Sequence, residues 1–88
     1  MSEEAKHKRL IRVFFNTFYE DAASKAIETL RSFGMVRSVV RSSIVPELYY
    51  VELDPHDKSN LRELASKIEE ALRKDDRVFG VKAYPVTT

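Results

Sequence analysis

The 88-residue chain has no cysteine and no tryptophan, only two glycines and three prolines, and almost no surplus of either charge. Without cysteine there can be no disulfide framework, thiolate zinc site or cysteine nucleophile, and an intracellular setting fits better than a secreted one. No apolar run approaches the ~20 residues that span a bilayer, and Met1 to Lys8 is polar with no signal-peptide core behind it. A soluble, cytoplasmic chain with no membrane contact is therefore expected. Fifteen Lys and Arg against 14 Asp and Glu leave a formal charge of +1, so the chain as a whole exerts no electrostatic pull on nucleic acid or anionic lipid. Any basic surface must come from local placement.

What is present is a globular balance, 43% hydrophobic and 33% charged. A chain of this length has room for one modest core, to which most of its apolar residues must contribute. Residues 1–9 mix both charge signs without periodicity and are expected to form a flexible tail. A single domain is expected over 10–88.

Leu10 to Thr17 is rich in β-branched and aromatic residues, with Ile11, Val13 and Phe15 on one parity, which predicts a strand with one buried face. Thr17 followed by Glu20 has capping-box spacing and predicts a helix start. The helix stripe runs through Ala22, Ala23, Ala26, Ile27, Leu30 and Phe33, and Gly34 is the expected left-handed stop. Met35 to Arg41 and Glu47 to Leu53 predict two strands joined by a short hairpin connection. Asp57 or Ser59 is expected to cap a second helix with the stripe Leu61, Leu64, Ala65, Ile68 and Leu72. Val78 to Val86 predicts a last strand, in which Pro85 suits an edge or a terminus.

The order strand, helix, strand, strand, helix, strand, with right-handed crossovers, predicts an α+β sandwich of the ferredoxin-like type. In it two helices cover one face of a four-stranded antiparallel sheet. If Ile11, Val13 and Phe15 face the helices, alternation sends Arg12 and Phe14 to the open face, together with Leu48, Tyr50 and Glu52 from the third strand. The last strand adds Lys82 and Tyr84. The second adds Arg37, Val39 and Arg41, or the other parity. The expected face thus carries Phe14, Tyr50 and Tyr84 for base stacking among Arg12, Arg37, Arg41 and Lys82 for phosphates. Large aromatics on a solvated sheet favour a cover, because burying each gains about 1.5–3 kcal/mol.

The residues resemble the RNA recognition motif family, which has this fold and stacks bases on its central strands. Asn16 stands where that family often has Asn in its first-strand motif, and Phe33-Gly34 matches its helix-ending pair. Val36 and Val39 continue its second-strand pattern, and Tyr50-Val51-Glu52-Leu53 looks like the end of its third-strand motif. The resemblance implies that Tyr50 is a stacking platform and that Leu48 occupies the other exposed position of the motif. The chain departs from the family at Pro46 and Glu47, which replace a basic residue and a glycine, and at Leu48 and Leu53, which replace aromatics. Registering Asn16 also puts Val13, not Phe14, at the first-strand stacking position. Amino-acid-sensing regulatory domains and the small subunit of the purine-pathway amidotransferase are similar at the level of fold.

No catalytic constellation is legible. His7 and His56 lie far apart, in a tail and a turn, without the oriented base that a nucleophilic triad needs. Asp54, His56 and Asp57 crowd one loop with metal-capable donors, but a proline turn followed by a helix cap accounts for them. Two glycines cannot write a phosphate cradle, and the glycine-punctuated loop of acylphosphatases is absent. The expected function is a small non-catalytic binding module, without cofactor or metal, that takes RNA or another single-stranded nucleic acid on the open sheet. The alternative is a dimeric regulatory or protein-interaction domain pairing through the same face, with room for a small ligand at the interface.

Overall fold

The computed structural model describes residues 9–87. They run β1 (Arg9–Asn16), α1 (Glu20–Arg31), β2 (Gly34–Arg41), β3 (Leu48–Pro55), α2 (Leu61–Arg73) and β4 (Phe79–Thr87). Arg9, expected in the tail, pairs with Thr87 and belongs to the sheet; the rest of that expected tail lies outside the described residues. The four strands are antiparallel in the order β2-β3-β1-β4. Together with the two helices this makes a ferredoxin-like α+β fold.

The core forms where period-2 and period-3.6 stripes meet. Ile11, Val13 and Phe15 of β1 and Tyr49, Val51 and Leu53 of β3 are buried against Ala22, Ala26 and Leu30 of α1 and Leu61, Ala65, Ile68 and Leu72 of α2. The Phe15 and Tyr49 rings stack at 5.2 Å with planes 6° apart. Both helices thus cover the same side of the sheet, and the even-numbered residues of β1 and β3 are left on the other.

Local details differ from expectation. Thr17 is buried, and its hydroxyl accepts from the Tyr19 N–H at 3.2 Å, not from that of Glu20. Tyr19 is the N-cap, so the Thr17–Glu20 capping box does not form. Gly34 has no left-handed backbone; α1 ends at Ser32 in the right-handed region, and Gly34 opens β2 opposite Pro55. Its requirement is room, because a Cβ there would lie 2.6 Å from the Pro55 Cα. Asn60, neither Asp57 nor Ser59, caps α2 by accepting from the Glu63 N–H at 3.2 Å. Asp57 instead closes a turn on the Ser59 N–H at 2.9 Å.

Candidate functional site

Alternation along β1 turns Arg12 and Phe14 away from the helices, and the strand register decides their neighbours. Phe14 lies opposite Tyr50 on one side and Lys82 on the other, while Arg12 lies opposite Glu52 and Tyr84. Two cross-strand rows follow. One holds Val40, Tyr50, Phe14 and Lys82, and the next holds Ser38, Glu52, Arg12 and Tyr84. The Phe14 ring centre is 5.0 Å from that of Tyr50, tilted by 39°, and 6.1 Å from that of Tyr84, edge-on at 71°. Three rings from three strands are therefore contiguous, with Tyr84 49% exposed.

The second strand does not keep a single parity. Val36 pairs with Leu53 and Ser38 with Glu52, so β2 advances two residues while β3 advances one. The bulge at Arg37 switches the faces, as an inserted residue must. Arg37 stays on the open side, where its guanidinium reaches Asp54 at 3.5 Å. Arg41 does not, and this corrects the expectation. Its guanidinium lies 5.4 Å from the centre of the Tyr49 ring, its Nε donates to the Pro46 carbonyl at 2.7 Å, and it pairs with Glu20 at 3.4 Å. Those partners belong to the helix side. Val39 likewise pairs with Val51 of the core face, and Val40 takes its place on the open one.

The electrostatics of the face are mixed. Asp54 is held below the usual carboxylate value first by its hydrogen bond from Lys58, at 2.8 Å, and then by Arg37. Among the described residues these pairs leave out Arg12 and Lys82, which the register sets opposite Tyr84 and Phe14. Glu52, across from Arg12, brings a negative charge into the middle of the surface. In the loop from Asp54 to Asp57 both acids are engaged, Asp54 on Lys58 and Arg37 and Asp57 on Ser59.

Two aromatic residues escaped the sequence reading. Asn16 pairs with Phe79 while Phe14 pairs with Lys82, so β4 carries one residue more than β1 over this stretch. Gly80 takes up that extra residue at φ 60°, the one positive φ among the described residues. The shift puts Phe79 in register with Asn16, at 45% exposure, and Phe18 packs against it with ring centres 5.5 Å apart. A glycine inside a strand is the signal that could have shown this, because it marks a bulge.

A cleft of about 490 Å³ lies away from the sheet between the two helices. Its lining includes Ala22, Ala26 and Ala71, and its guanidinium, Arg77, is already held by Asp75 and Asp21 at 3.0 and 2.7 Å. The short alanine side chains on both helices are enough to account for it. Among the described residues no helix is long and apolar enough to cross a membrane. Comparison of the chain with protein-family models, curated proteins and solved structures finds no match.

Proposed function

We propose that the protein is a small non-catalytic module that binds single-stranded nucleic acid, RNA foremost, on the open face of its sheet. The observation that carries this reading is the contiguous ring ladder Tyr50–Phe14–Tyr84 across three strands, flanked by Arg12 and Lys82. Bases stacking on such rings gain about 1–3 kcal/mol each, whatever their identity. Arg12 and Lys82 meet the phosphates. Arg37, tied to Asp54, sits at the rim, and Arg41 takes no part.

A second reading draws on a separate observation. Met35 and Val40 expose apolar surface on the same side as the rings, at 61% and 50%, and a second copy of the sheet would cover it as well as a base would. The two separate in one experiment, in which light scattering gives the mass and a fluorescent oligonucleotide is titrated in parallel. Binding by the monomer, reduced by at least about fivefold per ring in Phe14→Ala/Tyr50→Ala, supports the proposal. Neither side chain belongs to the helix-side core, so the variant should stay folded. A tight dimer without oligonucleotide affinity hands the face to a second copy and removes the proposal.

A further inference from the structure

Beyond Phe14 the open face continues along β1 to Asn16, and there the register between β1 and β4 shifts by one residue. The bulge at Gly80 swings Phe79 out of line with Val81, which is buried, and brings it opposite Asn16. The arrangement is built in place. The Asn16 amide donates to the Phe79 carbonyl at 3.3 Å and fills the space beside Gly80, where a Cβ would stand 2.6 Å from the Asn16 Nδ2. Bulges of this kind re-aim side chains next to functional surfaces. What is aimed here is a ring pair in solvent, with Phe18 71% and Phe79 45% exposed.

We propose that Phe18 and Phe79 form a second stacking platform for single-stranded nucleic acid, one that receives a base flanking those on Phe14 and Tyr50. This rests on the reading of the sheet given above. Continuity supports it, since Asn16 lies two strand residues, about 7 Å, beyond Phe14 on the same face. Charge supports a polyanion as the occupant, because Lys82 is the β4 member of the Phe14 row, three residues along β4 from Phe79, and among the described residues the ion pairs of this face do not include it. A phosphate linking bases on the two platforms would pass Lys82. Asn16 and Gly80 act as positioning residues for Phe79.

The test compares fluorescein-labelled oligouridylates of about four and about eight nucleotides, a range that brackets small single-strand sites. In Phe18→Ala/Phe79→Ala the longer strand should bind about tenfold more weakly, and the shorter one, held by Phe14 and Tyr50, should be unchanged. Gly80→Ala keeps both rings but disturbs the bulge, and it should remove the same advantage of length. Equal weakening of both lengths, or none for the longer, overturns the second platform while leaving the first. If the unaltered protein binds neither length, the reading of the whole face fails, and this inference with it.

Discussion

Glu52 sits between the features that would bind a polyanion. It lies across the strand gap from Arg12, one row from the Tyr50–Phe14 pair, with a half-buried side chain on the open face. A carboxylate there repels a phosphate at Arg12 and competes for the guanidinium, and both effects weaken the proposed complex. Glu52→Gln keeps the shape and removes the charge. It should tighten oligonucleotide binding by about threefold at low salt, the scale of one partly solvated charge interaction. A titration in which Glu52→Gln binds no better than the unaltered protein would show that phosphates do not run past Arg12. The same residue-scale logic separates the two glycines, since Gly34 is required by the closeness of the β3 backbone and Gly80 by its positive φ.

Between elements, the β4 edge of the sheet is tied to α2. On β4 the outward groups of alternate residues are spoken for, because Arg73 of α2 donates to the Val81 carbonyl at 3.2 Å and Glu69 accepts from the Ala83 N–H at 2.8 Å. Pro85, next in that series, has no N–H to offer. Such an edge cannot template another strand. A second tie joins the first turn of α1 to the loop before β4, where Arg77 bridges Asp21 and Asp75. The Arg77 side chain and then its backbone N–H hold Asp75 down at about 2, against an ordinary 3.8. A lowered carboxylate pKa stabilises the fold above the unfolded value, and that stability is lost as pH falls through the folded one. The thermal midpoint should therefore drop as pH falls from about 4 towards 2, and Arg77→Gln should flatten that drop. Parallel curves for the two proteins would show that the tie adds nothing.

These elements also mark what was legible in the sequence. Strand parity on β1 and β3 could be read from Ile11, Val13, Phe15 and Tyr49, Val51, Leu53, because a buried face imposes alternation. The parity of β2 could not. It depends on an inserted residue at Arg37 that no composition marks, and that residue decides the face on which Arg41 lies. The caps are hidden for a related reason: Thr17, Asp57 and Ser59 are all competent caps, and the path of the chain selects Tyr19 and Asn60.

At the scale of the whole molecule, a formal charge of +1 leaves little long-range steering, so the affinity of the proposed complex must come mainly from contact. The number of phosphates engaged can be counted. Each one neutralised on a single strand contributes about −0.7 to the slope of log affinity against log salt. Arg12 and Lys82 together give about −1.4, and release of Arg37 from Asp54 would bring the slope to about −2. Lys82→Ala should make the slope shallower by about 0.7, whereas Arg41→Ala, altered on the helix side, should leave it unchanged. A slope steeper than about −4 would require more cations than the open face carries. The phosphates would then lie elsewhere, with Lys25 and Lys74 beside the interhelical cleft the first place to look, and the sheet would lose its role as the charged part of the site.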